Sequence, residues 1–323
     1  MDWTPSIHSL DDPDAQARWR TLWEGSPQRS PFSSLTYIQA ATEAFDLQTE
    51  MHLVASPEQD EAGALVFWRK RGPYRQVALP PFTLFTPLVL REQPAEADIH
   101  AHRTALDVLL PSLEKRFDVL RFFVPNLPDI RTARWQGWKP KPFYTYLIPL
   151  EGVKNFLHNW SGSHRRTFRK NRAAYTFAEA HDAASLVQLC SQSYARHDRR
   201  LPAERDRLTT LVEHLQAASS CRLFVVYPLG EDTPEAGVAM LHDGKTACYW
   251  IAGSEPGPAM TVLLGHLLPL LRDEGFLSFD FVGANTASIA EFKRKFGAML
   301  TPYWMLEKIT RPELRLYYSL KGA

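Results

Sequence analysis

The sequence predicts an α/β fold built twice along one chain, and three observations carry that prediction. In the stretch LSFDFVGANTASIAEFKRKFGAMLTPY, residues 277–303, hydrophobic periodicity passes from two to about 3.6 residues across Gly283-Ala284-Asn285. That change of period marks a strand feeding a helix. An earlier stretch repeats this order. Leu109-Leu110-Pro111-Ser112-Leu113 matches Leu267-Leu268-Pro269-Leu270-Leu271; Phe117, Asn126 and Ile130 recur as Phe276, Asn285 and Ile289 at a shift of 159, and Gly137 and Pro142 as Gly297 and Pro302 at 160. Finally, 323 residues with 45% hydrophobic and 23% charged content give room for two ordinary globular domains. The expected division is two copies of about 150 residues, residues 1–150 and 151–323.

The elements follow from local pattern. Asp12 to Glu24 reads as a helix, then comes a Ser/Pro-rich loop from Gly25 to Ser33, and Ser34 caps a helix through Phe45. Strands are expected at Gln48–Ala55, Ala64–Lys70 and Tyr74–Leu79. Pro80 to Pro87 is apolar but broken by prolines, so it reads as a loop or irregular edge. A helix from Ile99 to Arg116, a strand Val119–Val124 and a strand Phe143–Leu150 complete the first copy. The second opens with a basic helix at 163–173 and a strand near Tyr175–Ala178, followed by helices Ala183–Arg196 and Glu204–Ala218. A meander Arg222–Tyr227, Ala236–Leu241, Thr246–Gly253 leads to a helix Ala259–Asp273. Leu277–Val282 is then a strand and Thr286–Phe296 a helix capped by Asn285 or Thr286 and stopped at Gly297, with strands near Met305 and Leu316 closing the chain.

Composition excludes several classes. With 37 basic and 36 acidic residues the net charge is +1, which argues against polyelectrolyte binding over the whole surface, and no DNA partner is expected. Cys190, Cys221 and Cys248 are odd in number and lack CxxC spacing, so reduced thiols are expected rather than a disulfide framework or zinc site. His8, His52, His158, His197 and His214 have no ligand spacing, and no metal is assigned. The acidic start MDWTPSIHSLDDPDAQ lacks the apolar core of a secretion signal, and the apolar run Thr261–Leu271 is too short to span a bilayer. A cytoplasmic protein without a transmembrane segment is expected.

Phe279-Asp280-Phe281-Val282-Gly283 followed by Glu291-Phe292-Lys293-Arg294-Lys295-Phe296-Gly297-Ala298 resembles the FDF-x-G … FK-x-x-FGA signature of double-GNAT transferases. That group takes in the Fem-type peptidoglycan-bridge aminoacyl transferases and their acyl-CoA-using bacterial relatives. Ser163-His164-Arg165-Arg166-Thr167-Phe168-Arg169-Lys170-Asn171-Arg172 is similar to the basic helix opening their second domain, and the element order of 155–310 is similar to theirs. The resemblance implies tandem GNAT-like α/β domains with a largely antiparallel sheet. Because the repeat sets Ala133 or Arg134 where the second copy has Lys293, the first copy, on the substrate side, reads as degenerate, and the working site is expected in the second copy or between the two. It implies N-acyl transfer, with acyl-CoA as the leading donor and charged tRNA the alternative. The expected acceptor is an amine of a small molecule, sugar-linked compound, peptide or cell-wall precursor. A tandem GNAT acting only as a binding module is the rival from another class.

Site residues follow residue by residue. The strand Cys248–Gly253, with Trp250, Ile251, Ala252 and Gly253, would offer backbone N–H groups to the acyl carbonyl, or is an ordinary buried strand. The segment Ser254-Glu255-Pro256-Gly257-Pro258-Ala259 stands where related enzymes carry an Arg/Gln-x-x-Gly-x-Gly/Ala pyrophosphate loop. Gly257 and Ala259 remain, with Met260 and Thr261 opening the helix. Ser254 replaces the leading residue, Pro258 removes an N–H, and Glu255 adds a negative charge. Lys293 sits on the apolar stripe of Ile289, Phe292 and Phe296. It either places a cation beside an oxyanion or donor phosphate, or snorkels past the stripe's edge; its counterpart in the first copy is Ala133 or Arg134. Asp280 is a general base or, slightly favoured, a structural acceptor for turn N–H groups. Glu291, His266 and Tyr303 are unranked alternatives as base, and Tyr303 is also a substrate-binding candidate. Arg165, Arg169 and Arg172 at i, i+4 and i+7, with Arg166 and Lys170 alongside, would bind phosphates or form a solvated face. Pro80–Pro87 with Phe82 would line a substrate cleft, or is a packing loop.

Overall fold

A computed structural model describes residues 3–92, 100–127, 129–196 and 198–320. In chain order the elements are β1 (Thr4–His8), α1 (Pro13–Glu24), α2 (Leu35–Phe45), β2 (Gln48–Ala55), β3 (Asp60–Arg71), β4 (Tyr74–Val77), β5 (Leu88–Leu90), α3 (His100–Glu114), β6 (Val119–Pro125), α4 (Arg131–Trp135) and β7 (Lys139–Pro149). Then come α5 (Gly162–Asn171), β8 (Tyr175–Ala180), α6 (Ala183–Ala195), α7 (Arg205–Ala217), β9 (Cys221–Pro228), β10 (Ala236–His242), β11 (Thr246–Ser254), α8 (Ala259–Asp273), β12 (Ser278–Asp280), α9 (Ala287–Arg294), β13 (Met299–Ile309) and α10 (Pro312–Leu320). The expected helix start at Ile99 lies outside the described residues. The chain divides into two compact units: residues 1–143 with 302–323, and residues 144–301.

Unit 1 carries the strand order β1-β2-β3-β4-β6-β13, with β5 also on β3. All its neighbours run antiparallel except β4 and β6, which meet in parallel at Gln76 and Val119. Its core packs α3, through Leu106, Leu109, Leu110 and Leu113, onto Val66, Leu120 and Phe122. Unit 2 carries β7-β12-β11-β10-β9-β8, again antiparallel except for parallel β11–β12. There α8 lays Val262, Leu263, Leu267 and Leu271 against Phe224, Val226, Val238 and Met240. Burying aliphatic and aromatic side chains of this size, at roughly 1.5–3 kcal/mol each, is what holds such a sheet–helix layer together.

The two units share one plan. Each places a proline inside its long helix, Pro111 in α3 and Pro269 in α8, where it removes a backbone donor. Each follows with a short strand, a turn, a short helix, a left-handed glycine (Gly137, φ 79°; Gly297, φ 73°) and a long strand. At Gly297 the conformation is enforced by packing too, because a Cβ there would lie 2.4 Å from the Asn159 carbonyl oxygen. The closing strands change places: β7, from the first half of the sequence, pairs β12, while β13, from the second half, pairs β6. The boundary therefore falls at Phe143/Tyr144 and the last 22 residues return to unit 1, where an even split at 150 was expected.

Several expectations need correction. The strand expected near Leu316 is helix α10, begun by Pro312 with its fixed φ and anchored by buried Leu314. β1 and β5, too short and too polar or too close to prolines to stand out, were not anticipated. The strand expected over Leu277–Val282 is only Ser278–Asp280, because Val282 (φ 56°) and Gly283 (φ 82°) turn left-handed. On α9 the buried residue is Lys293 itself and the fully buried ring beyond it is Phe296, whereas Ile289 is 41% exposed.

α6 lies directly on β11 because Gly253 has no side chain. A Cβ there would sit 2.5 Å from the Cys190 backbone nitrogen and the Leu189 carbonyl carbon, and backbone cannot rotate aside. Gly253→Ala is expected to lower stability by about 3 kcal/mol, read as a fall in the urea midpoint at constant m-value.

Candidate functional site

In unit 2 the sheet forks. β11 pairs with β12 only from Thr246 to Cys248 (opposite Ser278 to Asp280), and then the two part. β12 continues along β7, with the Phe281 N–H donating to the Tyr146 carbonyl at 2.9 Å and the Ala284 N–H to that of Tyr144 at 2.7 Å. β11 runs on to Ser254 with β10 on its other side. Ala239 faces Ile251 and Met240 faces Tyr249, so Trp250 is the extra residue of a bulge. A bulge bends the strand and increases its twist, and this one sits where β11 loses β12. Among the described residues no strand pairs with β11 on the β12 side beyond Cys248. Trp250, Ile251 and Gly253 are buried, and Ala252 is half-buried with its N–H facing the Cys190 thiol.

Lys293 holds the other arm of the fork. The residue is 5% exposed, and its ammonium donates to the carbonyls of Phe281 (2.6 Å), Val282 (3.1 Å) and Gly283 (2.6 Å). All three N–H bonds are therefore used on three successive residues of the turn. Burial lowers its pKa to about 8, while the Asp280 carboxylate acts in the opposite direction. Asp280, also buried, accepts from the Thr145 hydroxyl and from the Val282 N–H at 2.7 Å. Thr145 Oγ1 in turn accepts from the Gly283 N–H at 3.2 Å. Burial raises the Asp280 pKa against these bonds and the Lys293 charge. Thr286 is the N-cap of α9 without a side-chain bond. Asn285 instead clamps Tyr144, accepting from its N–H at 3.0 Å and donating to its carbonyl at 3.2 Å.

The corresponding place in unit 1 is built differently. There β4 and β6 also part after one pairing, but Thr86 moves in: its N–H donates to the Phe123 carbonyl (2.8 Å), and its hydroxyl accepts from the Phe123 N–H (2.9 Å). Thr86 of the loop 80–87 thus occupies the β6 edge. Phe82, half-buried, has φ 61° within that loop. Tyr303 is 3% exposed in unit 1 and packs against Phe85, Phe123 and Phe143. In place of a lysine, Ala133 is fully buried on α4, and Gln28 Nε2 donates to the Asn126 carbonyl at 2.8 Å. The left-handed residue of this turn is Asn126 itself (φ 49°), so the two asparagines matched by sequence do different work.

At the end of β11, Gly257 has φ 151°, and a Cβ on it would lie 3.2 Å from Glu235 Oε1. Glu235 accepts from the Tyr175 hydroxyl at 2.9 Å and Glu255 pairs with Arg196 at 2.9 Å. The Glu255 N–H is spent on the Glu235 carbonyl. Ala259, Met260 and Thr261, opening α8, are buried. Two prolines and two carboxylates leave this helix start few donors for a pyrophosphate. Cations lie on α5 instead. Arg166, Arg169, Lys170 and Arg172 are exposed and Arg165 half-buried, and among the described residues none has an acidic partner within 4 Å. The helix is seated by Phe168, which enters the notch at Gly265. His197 lies outside the described residues; among them no group of His, Cys, Asp and Glu is placed to hold a metal, and no helix is long and apolar enough to cross a membrane.

Residues 158–294, which include the fork, match the family described as Acetyltransferase (GNAT) domain. Among solved structures the chain is similar to FemX (11% identity, TM-score 0.69, covering 93% of this chain and 96% of that one). It is similar to L-PGS from Bacillus licheniformis (11%, 0.58, 95% and 95%) and to a tandem GNAT protein from the clavulanic acid biosynthesis pathway (12%, 0.56, 96% and 99%). No curated protein matches the chain by sequence. The chain has a Fem-like double-GNAT fold.

Replacing Lys293 with Met keeps the apolar stem and removes three donors from buried carbonyls. Leaving such acceptors unmade costs about 1–3 kcal/mol each, partly offset here by the relieved desolvation of the ammonium. Lys293→Met is expected to be less stable than the parent by about 2–4 kcal/mol in urea unfolding.

Proposed function

We propose that unit 2 is a cytoplasmic N-acyltransferase of bacterial type, moving an acyl group from acyl-CoA to an amine of a small-molecule, sugar-linked or peptide acceptor. The observation behind this reading is the open β11 edge: the equivalent fork in unit 1 is filled by Thr86, and that in unit 2 is not. An acyl thioester laid along the open β11 edge would take over the Ala252 N–H, which otherwise faces only the Cys190 thiol, a weak acceptor, from a strand already fixed in direction, which is how an oxyanion is stabilised without reorganisation. The amine nitrogen attacks the acyl carbon and the C–N bond forms. The carbonyl π pair moves onto oxygen, then returns as the C–S bond breaks and the thiolate leaves with its pair. The proton lost by nitrogen goes to solvent or a base and the thiolate takes one up.

Lys293 serves this chemistry as a positioning residue, because its N–H groups are committed to the turn. Asp280, bound to Thr145 and Val282, supports the same turn. The cations of α5, Arg165, Arg169, Lys170 and Arg172, take the donor phosphates that the start of α8 serves poorly. A second reading has its own support. The carboxylates Glu235 and Glu255 beside Gly257 disfavour a pyrophosphate there, and an aminoacyl-tRNA would place none at that point.

Calorimetry separates the donors. Acyl-CoA is expected to bind the parent, and Arg165→Ala/Arg169→Ala is expected to weaken it at least tenfold. Binding of charged tRNA with no heat from any CoA ester would transfer the assignment to the second reading, and binding without turnover would make the chain a binding module. The pH profile tests Lys293. A neutral amine has two N–H groups for three carbonyls, so turnover is expected to fall as pH rises through about 8, the value to which burial lowers Lys293. A flat profile to pH 9 would remove Lys293 from the mechanism.

A further inference from the structure

Tyr249 stands at the apex of the fork and no role has so far been given to it. It is the first residue of β11 beyond the last β12 pairing, Cys248 opposite Asp280, and it immediately precedes the bulged Trp250. Its ring reaches across to the β12 arm, with centroids 6.4 Å from Phe279 and 5.7 Å from Phe281. The Lys293 ammonium lies 5.8 Å from the ring centroid. Both neighbouring rings are fully buried, yet Tyr249 is only half-buried, and its hydroxyl has no hydrogen-bond partner among the described residues. A tyrosine set this deep into an aromatic cluster usually finds a partner for its O–H. Packing alone would be served as well by phenylalanine.

Building on the acyl-transfer reading, we propose that the Tyr249 hydroxyl donates a hydrogen bond to the carbonyl oxygen of the bound acyl group and keeps that bond as the oxygen becomes an oxyanion. Three features support the role. The residue is the first on β11 beyond the last β12 pairing, so its O–H belongs to the stretch of strand along which the acyl group is proposed to lie. Burial raises its pKa, so the phenol remains protonated and donates without giving up its proton. The cation against the ring face draws electron density from the phenol and strengthens it as a donor. Lys293, whose own N–H groups face the turn, thereby acts on the reaction through a neighbour.

Tyr249→Phe tests this cleanly, because the ring and its packing stay. Loss of one oxyanion donor is worth about a hundredfold in kcat, with KM for acyl-CoA changed far less. Binding gives a second readout. A ketone analogue with methylene in place of the thioester sulfur is expected to bind the parent more tightly than coenzyme A does, and Tyr249→Phe to lose that preference while binding coenzyme A unchanged. A parent that turns over beside a Tyr249→Phe variant within twofold in kcat and unchanged in the analogue preference would overturn the assignment and leave the transfer reading standing. A parent without turnover on acyl-CoA or charged tRNA would sink the transfer reading, and this assignment with it.

Discussion

A single ammonium group, buried inside unit 2 and bound to three consecutive carbonyl oxygens, is the contact on which the candidate site depends. Lys293 reaches Phe281, Val282 and Gly283 just where the backbone adopts left-handed angles. A β-branched residue such as Val282 pays about 1–3 kcal/mol to hold a positive φ, and the surrounding bonds must outweigh that. Without them the chain would gain by continuing β12 alongside β11 and the fork would close. The fork thus leans on a charge placed in the last turn of the short helix α9.

The same comparison shows how two copies of one plan differ in construction. Unit 1 has the parallel pair, the turn, the short helix and the left-handed glycine. Its turn is held by Gln28 from a preceding loop, and Thr86 supplies the hydrogen bonds that β6 would otherwise leave to a ligand. A filled edge satisfies the backbone and ends its capacity to receive another molecule. On the acyl-transfer reading proposed above, unit 1 keeps the fold while Thr86 occupies the edge that unit 2 leaves open.

Much of the architecture was legible in the residues. The period change at 277–303 located a strand–helix junction, and the recurring Leu-Leu-Pro and glycine positions located its twin. The prolines of 80–87 marked a loop that does sit on a strand edge. The lysine on the α9 stripe drew notice from its position alone. What it binds was out of reach, because backbone carbonyls carry no sequence signal. For the same reason Asn126 and Asn285, alike in the alignment, could not be told apart. Tyr249 escaped notice because strand pattern says nothing of where pairing stops or where a bulge falls. The exchange of β7 and β13 was equally hidden, since either strand satisfies the alternation expected of either sheet.

That exchange bears on how the molecule is made. Strand β6 has β13 as its antiparallel partner over seven residues, Val119 to Pro125, and β13 is encoded near the far end of the chain. During synthesis the first half therefore emerges with one edge of its sheet incomplete, and stays so until residues 303–309 have been added. Unit 2, continuous from 144 to 301, is assembled from one uninterrupted run in the meantime. The order of completion is then the reverse of the order of translation: the half made first is finished last.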